Sequence, residues 1–140
     1  MELIQRSRKF FQLPHYNDYI FYNDCGTLIR SDYQERKSVP IETKVAAVKV
    51  LPSSLVILKY DREIEFMEIH TDSLQKRTLI KSAELEPLFK DAKNAYKNCV
   101  IEFEYNEGKL VCAFKENERR FIASINLITT EMEIIAEWTF

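Results

Sequence analysis

Five residues have the widest chemical reach in this chain: His15, His70, Cys25, Cys99 and Cys112. A nucleophilic centre needs a thiol or hydroxyl beside a base that a third group holds in place. No local signature joins either histidine to a cysteine here, and no C-x-x-C pair occurs. His15, Asp18, Asp24 and Cys25 match no spacing of metal ligands. Asp18 and Asp24 each follow an asparagine in a turn-like context, where such side chains hydrogen-bond their own backbone. Glu63 with Glu65, and Glu102 with Glu104, stand two apart, which on a strand puts each pair on one face. Paired carboxylates there could exchange protons, but alternation against apolar neighbours makes them the solvent side of a sheet. Only two glycines occur, Gly26 and Gly108, which excludes a glycine-rich phosphate loop or a dinucleotide fingerprint. No catalytic, metal or cofactor residue is assigned, and the chain reads as a non-enzyme without a cofactor.

Contact chemistry is better represented. The run His15-Tyr16-Asn17-Asp18-Tyr19-Ile20-Phe21-Tyr22 concentrates rings among turn formers. Tyrosine offers large contact area for little rotamer entropy. Tyr16, Tyr19 and Tyr22 are therefore candidate interaction residues, with covering a small core as the competing use. Trp138 and Phe140 form a second candidate pair in an alternating run that begins at Met132. Large apolar side chains on a strand end need a cover. Met132 to Phe140 is thus expected to pair or pack with a partner chain, a second copy or further residues.

Composition narrows the setting. A length of 140 residues fits one domain, 1–140, and 46% apolar with 30% charged residues describes a folded chain. No apolar run approaches the roughly 20 residues that span a bilayer. The N-terminus lacks the apolar core of a secretory signal, and three cysteines are a poor disulfide framework. An intracellular location, cytoplasmic or nuclear, is expected, with no membrane partner. Twenty basic and 22 acidic residues are spread evenly, without the basic block of a phosphate-neutralising surface. The fold could still gather Arg6, Arg8, Lys9, Arg36, Lys37, Arg119 and Arg120 into one patch.

The elements that position these residues read mainly as strands. Leu55 to Tyr60 and Glu63 to Thr71 flank a short turn at Asp61-Arg62, and the polar–apolar phase flips at Phe66-Met67, as at a bulge. Cys99, Ile101, Phe103 and Tyr105 share one strand face, and Leu110, Cys112 and Phe114 another. Between Arg120 and Thr129 both faces are mostly apolar (Phe121, Ile122, Ala123, Ile125, Leu127 and Ile128), which predicts an interior strand covered on both sides. Leu85, Leu88, Phe89, Ala92 and Tyr96 recur with helical spacing and predict one amphipathic helix at about 84–97, with Pro87 in its first turn. A shorter amphipathic piece is expected from Leu3 to Phe11, limited by Pro14.

Repetition organises the strands. Tyr22-Asn23-Asp24-Cys25-Gly26 and Tyr105-Asn106-Glu107-Gly108 each join two apolar runs, and each is followed by a charged turn, Glu35-Arg36-Lys37 or Glu118-Arg119-Arg120. A third copy lies around Tyr60, with Lys76-Arg77 in the basic position, so the tyrosines are spaced by 38 and 45 residues. In strand rhythm and turn placement, residues 8–81 and 99–140 resemble divergent β-propeller blades of the WD-repeat kind. The Gly-His and Trp-Asp signatures of that family are absent. The resemblance implies a mainly β fold of antiparallel meander sheets in propeller-blade-like repeats. It also implies a protein–protein interaction module, or a subunit of a larger assembly, whose partner is another protein or a second copy. From residue 84 onward the chain also resembles half of a DNA sliding-clamp domain. That alternative implies a compact α+β domain and a DNA-associated protein, with Lys90, Lys93 and Lys97 facing nucleic acid. Strand order separates the two.

Overall fold

The computed structural model describes residues 9–13, 18–22, 25–32 and 37–139. Twelve strands are seen in this range: β1 Lys9–Gln12, β2 Asp18–Tyr22, β3 Leu28–Asp32, β4 Lys37–Glu42, β5 Val45–Val50, β6 Ser54–Tyr60, β7 Ile64–His70, β8 Lys76–Lys81, β9 Val100–Asn106, β10 Lys109–Glu116, β11 Arg119–Asn126 and β12 Met132–Thr139. They form three four-stranded sheets, β1-β2-β3-β4, β5-β6-β7-β8 and β9-β10-β11-β12, each in chain order. Antiparallel four-stranded meanders repeated in this way are propeller-blade-like units. The clamp-like α+β alternative is not the arrangement found, because no long helix is present among the described residues.

Residues cluster into two compact units, Met1–Asp61 with Met67–Arg77, and Arg62–Phe66 with Thr78–Phe140. The first is built around Ile20, Leu28, Val45, Val48, Leu55, Ile57 and Ile69, with Phe11 and Val50 packed against them. Arg30 stitches this unit by donating from Nε to Asp18 Oδ2 at 2.6 Å and from Nη1 to the Thr71 carbonyl at 2.9 Å. Glu42 accepts from Lys59 at 3.0 Å and Lys76 at 3.1 Å. In β7 the adjacent residues Phe66 and Met67 are both buried, as the expected phase flip requires.

The second unit has an aromatic core. Phe66 meets Phe103 edge-on at 5.1 Å, and Phe89 stands edge-on to both Phe114 and Phe121 at 5.4 Å. Of the expected apolar face, Leu85, Leu88 and Phe89 are buried, whereas Tyr96 is half-buried and Ala92 is exposed, with Ala95 buried in its place. The backbone of this segment is not one continuous helix. Helix α1 is a single turn, Ser82–Leu85, followed by 3₁₀ turns at Glu86–Leu88 and Ala92–Tyr96, with Phe89 extended between them. Pro87 favours the tight turn. The amides of Lys90 and Asp91 donate instead to the Glu116 carboxylate, a partner from a distant strand that periodicity could not reveal.

Three further readings change. Lys9–Gln12 is a strand paired with β2, not the end of an amphipathic helix. Gly26 lies between the second and third strands of its sheet, whereas Gly108 lies between the first and second of its own. The two turns are therefore not equivalent, and the counterpart of the Gly26 turn in the third sheet is at Asn117-Glu118. The sheets begin at Lys9, Val45 and Val100, and the longer second interval is taken up by the segment from Ser82 to Cys99. Finally, β11 is interior to its sheet, but its burial alternates, so only one of its faces is covered.

Candidate interaction surface

The third sheet presents two surfaces. Phe103, Leu110, Cys112, Phe114, Phe121, Ala123 and Ile125 fill one face and are 0–2% exposed. Register places Val111 opposite Ser124, Ala113 opposite Ile122, and Lys115 opposite Arg120 on the other face. These six are half-buried or exposed. β12 extends both faces and is the sheet edge. On it Ile134, Ile135 and Trp138 are 37%, 54% and 41% exposed. The register between β11 and β12 skips Ile135, and such a bulge turns a side chain away from the regular pleat. A second bulge lies at Ile101 in β9, which pushes this residue outward although the alternation placed it with buried Cys99 and Phe103.

One end of this sheet is rigidly held. Glu116 is buried, yet its carboxylate accepts from the Lys90 amide at 3.0 Å, the Asp91 amide at 2.9 Å, Asn94 Nδ2 at 2.7 Å and Arg119 Nη1 at 2.9 Å. Burial by itself would raise its pKa, but these donors outweigh burial and hold it down to about 2. Arg119 also donates from Nε to Glu137 on β12, and its guanidinium lies 4.1 Å from the Phe121 ring centre. Buried Glu116 thus fixes the Lys90–Asn94 backbone, while Arg119 clamps the edge strand. A cleft of about 440 Å³ beside them is lined by Lys90, Lys97 and Arg119 against Asp91, Glu116 and Glu118. Equal numbers of cations and carboxylates give it no preference for an anion.

His70 ends β7 in solvent, and its Nδ1 accepts from the Asp72 amide. Cys99 and Cys112 are buried in the sheet, where burial pushes the Cys99 thiol up to about 11 and raises Cys112 well above its ordinary value. Among the described residues no three of His, Cys, Asp and Glu gather as a metal site. Tyr19 and Tyr22 lie in β2. Tyr16, His15 and Phe140 lie outside the described residues. Of the five interaction candidates, Trp138 alone therefore has a described side-chain setting, and it is exposed. Ile122 lies on the same face as Trp138, whereas Ile134 is paired with buried Ala123 on the opposite face and Ile135 sits in the bulge of the edge strand. The two-sided apolar character of β11 and the run beyond Met132 signalled them, although exposure itself is not written in a sequence.

No protein-family model and no curated protein matches the chain. Solved structures do match. The N-terminal domain of Nup159 superposes with a TM-score of 0.57 at 15% identity, covering 92% of this chain and 37% of that one. A chain from the S. cerevisiae structure of Dbp5 bound to Nup159, Gle1, IP6 and ADP gives 0.57, 15%, 92% and 36%. Acylaminoacyl peptidase of Pyrococcus horikoshii gives 0.53 at 7% identity, over 88% of this chain and 23% of that one. This chain therefore spans about a quarter to just over a third of these proteins. At such identities the likeness concerns fold, and the fold is propeller-like.

Proposed function

We propose that this chain is a non-enzymatic protein-interaction module, working as a segment or subunit of a larger assembly. The observation that carries this reading is the β12 edge, where Ile134, Ile135 and Trp138 stand in solvent. Sheet edges with free backbone groups and exposed apolar side chains pair with other chains unless they are guarded. The corresponding last strand of the second sheet, β8, carries exposed Lys76, Arg77 and Thr78 instead. The S. cerevisiae match comes from a complex of several proteins, which fits a blade fold used as a contact platform. Buried thiols with raised pKa values support a role without catalysis, and His70, which lines a cleft with Glu68, Lys76 and Arg77, has its Nδ1 taken up by the Asp72 amide. Among the described residues no helix is long and apolar enough to cross a membrane.

The test is site-specific photo-crosslinking in the cells that make the protein, with the photoreactive residue at Ile135 or at Thr78. Discrete protein adducts from Ile135 and none from Thr78 are expected. Equal labelling at both positions, or none at either, overturns the reading.

A further inference from the structure

We infer that the open face of the third sheet docks a second copy of the same face, in a two-fold dimer. The inference rests on the interaction-module reading and names the partner. Its first support is an uncovered apolar strip. On the open side of β11, Ile122 lies between Arg120 and Ser124 and is flanked by Ala113 and Ala136 in register. With Val111, Ser124 and Trp138, these mostly small side chains make a low surface that another sheet can approach to about 10 Å.

The second support is charge. Register puts Glu104, and Glu133 of β12, with Val111 and Ser124 on the open face towards the β9–β10 turn, and Glu102 beside Ala113. Lys109 is the only cation of this face at that end among the described residues. Lys115 and Arg120 mark the opposite end, with Trp138 across from Arg120. A face that is acidic at one end and basic at the other, with apolar Ala113, Ile122 and Ala136 between and Glu102 at the β9 rim of that middle row, is complementary to itself at its two ends when turned end for end. A two-fold axis lying in the interface and running across the strands does this. It sets Glu133 of one copy near Arg120 and Trp138 of the other, and Glu104 near Lys115. An axis along the strands would oppose like charges. Complementary potentials choose the orientation more than they set affinity.

Size sets the strength. Four strands of about eight residues cover roughly 19 Å by 26 Å, which is near the low end for specific interfaces. The dimer should therefore be concentration-dependent, forming in the micromolar range.

The experiment is analytical ultracentrifugation of the full chain from about 1 to 200 µM, with emission of its single tryptophan, Trp138, followed in parallel. Passage from one 16.6 kDa chain to twice that mass, with a blue shift of Trp138, is expected. Reversing the basic end with Lys115→Glu and Arg120→Glu should weaken association at least tenfold while circular dichroism is unchanged. Adding Glu104→Lys and Glu133→Lys should restore it, which a merely structural defect would not allow. A wild-type chain that stays single throughout overturns the dimer, as does association that ignores charge reversal. If the chain stays single while Ile135 still captures other proteins, the dimer fails and the module reading survives. If both measurements are blank, both fail.

Discussion

The second and third sheets contain strands that look alike in sequence and end up differently. β6 reads Leu55-Val56-Ile57-Leu58, and all four are buried, so both faces of that strand are covered. β11 reads Phe121-Ile122-Ala123, equally apolar, yet Ile122 is only half-buried while its neighbours are sealed. Their outer strands differ the other way round, with polar β8 against apolar β12. A two-sided apolar strand therefore reports that both faces are meant to be covered. It does not say whether the same chain supplies the cover. The third sheet is where the chain offers surface, and the second is where it uses its surface up.

The largest expected effect tests whether the covered face of the third sheet is a true core. Phe89 stands edge-on against two rings of that sheet, Phe114 and Phe121. Phe89→Ala should destabilise by about 3–5 kcal/mol, read as a lowered urea midpoint. A loss below about 1 kcal/mol would mean that the face collapses without its lid, and the contrast between its two sides would go.

Next is the clamp at the end of this sheet. The Glu116 carboxyl has a pKa of about 2 in the folded chain, against an ordinary value of 4.5. A depressed carboxylate pKa contributes stability that is fully present above the unfolded pKa. That stability is lost as pH falls from about 5 towards 2. The loss should be roughly 2–3 kcal/mol. Glu116→Gln should remove about that much at pH 7 and flatten the acid limb of the stability curve. An unchanged acid limb would locate the pH dependence elsewhere.

A matched pair addresses the comparison directly. Val56 on β6 is fully buried, whereas Ile122 on β11 is half-exposed on the open face. Val56→Ala should cost about 2 kcal/mol, combining lost transfer and a cavity. Ile122→Ala, although it deletes more atoms, should cost under about 1 kcal/mol at concentrations where the chain is single. Equal losses would show that the open face is covered after all.

Much of this fold was legible. The two central strands of the middle repeat were bounded almost to the residue, because the Asp61-Arg62 turn separates two apolar-rich runs. The helical segment was placed correctly, but its internal breaks were not readable. They depend on Glu116, which reads as an ordinary strand carboxylate and acts as an acceptor for residues 22 to 26 positions earlier. The repeat frame slipped by one strand in the third sheet because a glycine marks a turn without saying which turn it is. For the surface, Trp138 was visible as an apolar residue in an alternating run. Ile101 and Ile135 were not, since each is turned outward by a bulge that only strand register exposes.

The two glycines provide the smallest effect and separate the units once more. Both have positive φ, +79° for Gly26 and +80° for Gly108, so alanine is strained at each by roughly 1 kcal/mol. Their surroundings then divide them. A Cβ on Gly26 would lie 3.1 Å from the Val45 carbonyl oxygen and 3.2 Å from its nitrogen, which are backbone atoms of a paired strand that cannot step aside. On Gly108 the nearest atom, at 3.2 Å, is the Ile128 Cδ1, at the tip of a side chain that is itself 81% exposed. Ile128 can rotate into solvent. Gly26→Ala should therefore lower stability by about 2 kcal/mol and Gly108→Ala by about 1 kcal/mol, compared by urea unfolding under the same conditions. If Gly108→Ala proved the more damaging, the Asn106-Lys109 turn would be the more tightly held of the two. The third sheet would then be rigid at both ends and not only where Glu116 and Arg119 clamp it.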